Sequence, residues 1–210
     1  MNITVIGCGR WGSLIAWYLS SCKGHAVTLY GRASSAHMQR FQAERRNDLL
    51  TLPDTVALST DLSVCAVPTC DVIIISIGAQ GLRGLMEELQ KYDLKDKTVV
   101  LCMKGIEATT GKRLTEVAEE YLDSSVKVAV WVGPGHVQEF YAGIPNCMVI
   151  DSEDEEIKVR LVREFSGELI RFYYGTDLIG SEIGAASKNV VGIAAGMPDG
   201  YGLTTLKGAL

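Results

Sequence analysis

No apolar run in this chain approaches the roughly 20 residues that a bilayer-spanning helix needs. Val72 to Ile77 is long enough only for a buried strand. Cysteine is present without a pattern: Cys8, Cys22, Cys65, Cys70, Cys102 and Cys147 include no C-x-x-C pair. Cys65 and Cys70 lie near each other, but no histidine or further cysteine stands nearby to complete a metal site. The thiols read instead as small buried hydrophobes in a reducing compartment. Histidine is scarce and scattered (His25, His37, His136), which argues against a zinc cluster, and no metal is expected. An excess of basic charge is missing too. The net charge of −5 gives no general reason for a nucleic-acid partner, although a local basic pocket for an anionic substrate is compatible with it. Met1 to Ile6 already reads as a strand, so no signal peptide is expected. Together these absences point to a cytoplasmic protein without membrane insertion. The composition, 47% hydrophobic and 21% charged over 210 residues, suits one globular domain plus a smaller piece.

Glycine, by contrast, is placed with purpose. After the first strand comes Gly7-Cys8-Gly9-Arg10-Trp11-Gly12, a G-x-G-x-x-G, and Ser13 to Ser21 continues as a helix. Gly7 allows the tight turn, Gly9 lets backbone approach a pyrophosphate, and Gly12 lets helix and strand pack closely. The helix amino terminus left open by this turn favours a phosphate. The motif alone is weak and is compatible with a plain glycine-rich turn. Here it lies between a strand and a helix, and a second strand (Ala26 to Tyr30) follows a Gly24 C-cap, the context that dinucleotide binding requires.

The rest of the chain repeats the strand–helix alternation. Strands are expected at 56–58, 72–77, 98–103, 126–132, 148–150 and 168–174. Helices are expected at about 34–45, 82–92, 111–122 and 154–165, with an Asp61-capped turn between. The continuous β-branched run from Val72 suits a strand covered on both faces. This rhythm predicts an α/β fold, a Rossmann-like, doubly wound and mainly parallel sheet, over residues 1–175. After Gly175 the rhythm stops. Asp177 to about Met197 reads as one long helix, with Ile183, Ser187, Val190, Val191 and Ala194 as its core-facing stripe. Residues 176–210 are therefore expected to begin an all-helical second domain.

Ligands of an open parallel sheet bind beyond the carboxyl ends of its strands. Those ends carry Gly7 to Gly12, Gly31-Arg32, Gly78-Ala79-Gln80, Lys104-Gly105 and Gly133-Pro134-Gly135. An NAD-selective site places a carboxylate at the end of the second strand, for the ribose 2′-hydroxyl. Tyr30, Gly31 and Arg32 stand there instead, and Arg32 would attract a 2′-phosphate. NADP should be accepted, unless Arg32 merely stacks on adenine or faces solvent and NAD is used. Lys104 is the charge placed directly at the end of a buried strand, either reaching a ligand or opening a solvated loop. Lys188 shares one helical arc of roughly 80° with Ser181, Gly184, Gly192 and Ala195. Each helical glycine costs about 1 kcal/mol relative to alanine, so this arc marks either close approach to a ligand or a glycine-rich packing seam.

These blocks, in this order, resemble the bacterial type of NAD(P)-dependent glycerol-3-phosphate dehydrogenase. The resemblance runs along the whole chain: Gly7 to Gly12, Tyr30-Gly31-Arg32, Met103-Lys104-Gly105-Ile106-Glu107 with Thr110-Gly111, Gly133-Pro134, Gly180 to Gly184 leading to Lys188-Asn189-Val190, and Gly192 to Gly196 with Asp199-Gly200. It implies an oxidoreductase that interconverts dihydroxyacetone phosphate and sn-glycerol 3-phosphate with NAD or NADP, for glycerophospholipid synthesis. It further implies that Gly7, Gly9, Arg10, Trp11, Gly12, Arg32, Lys104 and Val137 bind cofactor. Lys104, Gly133, Gly135, Lys188 and Asn189 would bind substrate, with Lys188 and Lys104 catalytic. A positioned ammonium could polarise the ketone and supply the proton that the developing alkoxide needs.

Two departures from the family stand out. Gly135 occupies a position where the family commonly has Ser, which removes one hydrogen bond to substrate. Family members also continue past this chain's Gly208-Ala209-Leu210, which reads as the start of another apolar helix, and the continuation carries an Asp and a phosphate-gripping Arg that Asp199 does not replace. A truncated chain is therefore expected. Its uncovered helical face suggests association, a homodimer in the simplest case. Two other readings stay open: a dinucleotide-binding fragment without catalysis, and a related two-domain dehydrogenase with another substrate, such as ketopantoate reductase or a sugar-acid dehydrogenase.

Overall fold

Strands rich in Val and Ile pair most readily where both faces can be covered, and Val72-Ile73-Ile74-Ile75 is fully buried. In the computed structural model, which describes residues 1–201 apart from the Asp199 side chain, this segment lies at the middle of a single sheet. The strands are β1 (Asn2–Ile6), β2 (Ala26–Tyr30), β3 (Val56–Ser59), β4 (Val72–Ile75), β5 (Thr98–Leu101), β6 (Lys127–Val132), β7 (Asn146–Asp151) and β8 (Ile170–Tyr174). Their spatial order is β3-β2-β1-β4-β5-β6-β7-β8. The first six pair in parallel. β7 then runs antiparallel to β6, and β8 is parallel to β7. The order reverses at β1, which has β2 on one side and β4 on the other.

The period-two alternation of each strand divides the core. Val72, Ile74, Val100 and Trp131 face one side, where they meet Leu14, Ile15, Phe41 and Phe165. These come from α1 (Arg10–Trp17), α2 (Ala36–Glu44) and α6 (Glu155–Phe165). Ile73, Ile75, Val99 and Leu101 face the other side, against Leu82 and Met86 of α3 (Leu82–Leu89) and Leu114 and Val117 of α4 (Leu114–Glu119). The sheet is thus doubly wound, as the alternation of strands and helices predicts. The Asp61 cap appears as expected, accepting from the Ser63 N–H at 2.9 Å, and α6 is capped by Asp154, which accepts from the Ile157 N–H at 3.0 Å. A short helix, α5 (Val137–Tyr141), follows β6.

The long helix α7 (Leu178–Gly200) forms, but it turns a different face to the sheet from the one its sequence suggests. Val190 and Val191 of the expected stripe are 70% and 49% exposed, and Ile183 is also exposed. Leu178 and Ala185 pack on the sheet instead, and between them Glu182 is 6% exposed. A buried carboxylate must find partners, and Glu182 accepts from the Thr115 N–H at 3.0 Å, the Thr115 hydroxyl at 2.6 Å and Arg113 Nη1 at 2.8 Å. One residue earlier, the Ser181 hydroxyl donates to buried Asp151 at 2.8 Å, and just before α7 the Gly175 carbonyl accepts from Lys158 Nζ at 2.7 Å. These polar contacts, which hydropathy alone does not weigh, set the rotation of α7. Because Arg113 stays partly exposed, Glu182→Ala is expected to lose about 3 kcal/mol, the low end for a broken buried pair. Urea unfolding checks this: a midpoint unchanged from wild type would show that α7 is held by its apolar contacts alone. The expected apolar helix at Gly208-Ala209-Leu210 lies outside the described residues.

Candidate active site

The carboxyl ends of β1, β2, β4, β5 and β6 open into one cleft of about 1010 Å³. Gly7, Gly9, Arg10 and Trp11 line its middle, Gly31, Arg32, Ser35 and His37 one end, and Met103, Lys104, Gly133 and Gly135 the other. Its volume lies at the top of the range usual for small-molecule sites, about 300–1,000 Å³.

The glycine turn is built by close packing. Gly7 has φ +115° and donates to the Tyr30 carbonyl at 3.0 Å. A Cβ at Gly7 would lie 2.1 Å from the Ser76 carbonyl oxygen, and one at Gly12 would lie 1.8 Å from the Gly7 oxygen. Gly9 has open space around its α-carbon and begins α1 with no side-chain cap. The first turn of α1 also lacks an acidic residue, so its N–H groups and partial positive charge face the cleft, as a phosphate requires. Trp11 walls this region, its ring 6.5 Å from Trp131 and 6.0 Å from Phe140.

At the end of β2 there is no room for a side chain on Gly31. Its Cβ would meet Cys8 Sγ at 2.5 Å and Met38 at 3.0 Å. The carboxylate missing from this position in the sequence is therefore excluded by packing, with a cysteine filling the gap between the first two glycines. Arg32 beyond it is exposed and makes no ion pair among the described residues. An exposed guanidinium at this edge matches an anionic substituent on an adenosine ribose. The turn, the uncapped helix start and Arg32 together fit a dinucleotide diphosphate and its adenosine.

At the opposite end, Lys104 Nζ donates to the Gly133 carbonyl at 2.8 Å, joining the ends of β5 and β6. Partial burial of its ammonium, and then the Lys188 charge, lower the Lys104 pKa below its usual 10.5. Lys104 should therefore react with an amine-selective acylating reagent at lower pH than an ordinary surface lysine. Lys188→Ala should move its midpoint up towards 10.5 without reaching it, because burial remains. Peptide mapping across a pH series reads both midpoints; coincident profiles in the two proteins would separate the two lysines.

Of the residues singled out in the sequence, Gly7, Gly9, Arg10, Trp11, Arg32, Lys104, Gly133 and Gly135 line the cleft. Gly12 lies beneath it, in the helix–strand contact. Val137 does not line it: this first residue of α5 is 7% exposed, in the core beside Phe140. Lys188 and Asn189 also stand outside the lining, exposed on the part of α7 that has left the sheet. Gly135 has φ +152°, and a Cβ there would lie 2.3 Å from the Phe140 ring. The serine common at this position in the family could not enter without moving that ring. The cleft adds residues that the sequence gave no reason to choose: Ser35, His37 and Leu62 at the Arg32 end, and Leu85 and Glu88 from α3. Cys102 lines the cleft too, with burial raising its thiol pKa well above the usual 9.0, as suits a structural thiol.

A sheet that reverses at β1, with a glycine turn and an open helix start at the reversal, defines a Rossmann-like dinucleotide-binding fold. Residues 2–158 match the family model for the NAD-dependent glycerol-3-phosphate dehydrogenase N-terminus. The chain belongs to that family. It is 36% identical over 208 residues to a glycerol-3-phosphate dehydrogenase [NAD(P)+] of Syntrophotalea carbinolica, with 96% of this chain and 62% of the relative covered. It is 34% identical to the Nitrosomonas eutropha protein of the same name, with 95% and 60% covered. The crystal structure of glycerol-3-phosphate dehydrogenase from Coxiella burnetii superposes with a TM-score of 0.85 at 26% identity, covering 99% of this chain and 64% of that one. The chain thus spans about three fifths of the length of these relatives.

Proposed function

We propose that this chain carries the nucleotide-binding part of an oxidoreductase that interconverts dihydroxyacetone phosphate and sn-glycerol 3-phosphate with NAD or NADP. Its product would supply glycerophospholipid synthesis in the cytoplasm. The observation that carries this reading is a single cleft with an uncapped helix start after the glycine turn at its middle and Lys104, bonded to the Gly133 carbonyl, at its far end. In this reading the N–H groups around Gly9, Arg10 and Trp11 hold the diphosphate, Gly7 and Gly12 shape the turn, and Arg32 takes the adenosine ribose and any 2′-phosphate. Val137 contributes to the cofactor site only through its neighbours, since its own side chain is in the core.

Bound reduced nicotinamide would supply the hydride. The chain's own residues would do the rest. Lys104 would stabilise charge developing on the ketone oxygen, and Gly133 and Gly135 would let substrate lie against backbone. Lys188, with Asn189 beside it, would exchange the proton at that oxygen. Residues 1–175 would form the dinucleotide domain and 176–210 would begin the helical substrate domain. The exposed face of α7, with Val190 and Ile193 each 70% exposed, favours pairing of two copies. No helix among the described residues is long and apolar enough to cross a membrane.

The test is oxidation of NADPH and of NADH, separately, by this chain with dihydroxyacetone phosphate or ketopantoate. The reading predicts turnover with the phosphorylated ketone alone. Preference for ketopantoate would overturn it. One observation favours a second reading, nucleotide binding without turnover: Lys188 and Asn189 stand outside the cleft. A nucleotide titration that saturates with no oxidation of either cofactor would select that reading.

A further inference from the structure

Glu107 is 6% exposed on a loop, three residues after Lys104. Buried carboxylates in loops are uncommon and need strong partners. Arg83 of α3 grips this one with two hydrogen bonds, Nε to Oε1 and Nη2 to Oε2, each 2.8 Å, and the Thr110 hydroxyl donates to it as well. The same loop is held from a second side. The Gln80 carboxamide donates to the Ile106 carbonyl and accepts from the Ala108 N–H, both at 2.9 Å. Gln80 lies in the turn just beyond β4, beside Ala79, whose Cβ is 3.1 Å from the position a Cβ on Gly105 would take.

We infer that Gln80 and Glu107 are positioning residues that hold Lys104 at the nicotinamide end of the cleft before any ligand arrives. Gln80 catches the backbone on both sides of Glu107, and Arg83 fixes the carboxylate between them. Lys104, so held, donates to the Gly133 carbonyl at 2.8 Å. The strand ends β4, β5 and β6 become one preorganised wall. A loop ordered in advance does not have to be ordered on binding, so that ordering cost is not taken from the affinity. This inference rests on the cleft being a dinucleotide site, and the test separates the two.

Gln80→Ala and Glu107→Gln are titrated calorimetrically with NADPH and with its fragment 2′,5′-ADP, which lacks the nicotinamide half and extends from the Arg32 end no further than the glycine turn. Each variant should raise the NADPH Kd by about tenfold, the change that about 1.4 kcal/mol produces, and leave the fragment Kd within about twofold. A merely structural role would weaken both ligands alike, and either that result or two unchanged affinities overturns the inference. Gln80 is exposed, so Gln80→Ala keeps the test decisive if Glu107→Gln folds poorly. If the wild-type chain binds neither NADPH nor NADH, the dinucleotide reading itself fails, and the positioning role with it.

Discussion

Gly12→Ala is expected to abolish NADPH binding and to lower the Tm by about 6–12 °C, from a loss of roughly 3 kcal/mol in a chain of this size. The new methyl would sit 1.8 Å from the Gly7 carbonyl oxygen and 3.0 Å from its carbon. Neither atom can retreat. Gly7 is itself against the Ser76 carbonyl on its far side and hydrogen-bonded to Tyr30. Relief must come from moving α1 off the sheet, which displaces the same N–H groups that would hold a diphosphate. Gly192→Ala is the matched control, because nothing lies within 4 Å of the added methyl. In mid-helix it should be stabilising by about 0.5–1 kcal/mol. Thermal unfolding and an NADPH titration on both variants check the pair. A Gly12→Ala protein that melts with wild type and binds NADPH would contradict the packing argument.

Lys188→Ala is expected to lower kcat for dihydroxyacetone phosphate reduction by about 10²–10⁴, the span of general acid–base contributions, with NADPH affinity kept within about twofold. The second part follows from position, since Lys188 does not line the cleft. Lys104→Ala should behave differently. It removes a group in the lining and its bond to Gly133, so nucleotide affinity and turnover should fall together. Steady-state kinetics alongside fluorescence titration distinguishes these patterns. Trp11 and Trp131 line the cleft and give the titration its signal. Unchanged turnover in Lys188→Ala would remove its assigned role.

The parallel body of the sheet was legible because its signal is local and repeated. Val72 to Ile75 can hardly be anything but a covered strand, and the glycine spacing places a turn before α1. The direction of β7 was not legible: the segment from Val132 to Asn146 does not show whether the chain crosses over or doubles back. The rotation of α7 was misread for a different reason. Its apolar residues outnumber the one carboxylate that governs it, and Glu182 reveals its importance only once Arg113 and Thr115, some 67–69 positions away in the chain, are found beside it. Within the cleft, residues at strand ends were readable from topology. The burial of the Val137 side chain was not legible, because its neighbourhood lines the cleft while the side chain turns into the core. Glu107 and Gln80 stood within blocks already noticed, but their bonds to Arg83 and to the loop backbone have no one-dimensional signature.

The measurement that bears most directly on this account is a crystal structure of the chain with NADPH. The account predicts the diphosphate on the N–H groups of residues 9–11, the 2′-phosphate beside Arg32, and the nicotinamide ring facing Lys104 and Gly133. A nucleotide bound elsewhere, or in this cleft with its nicotinamide at the Arg32 end, would contradict it.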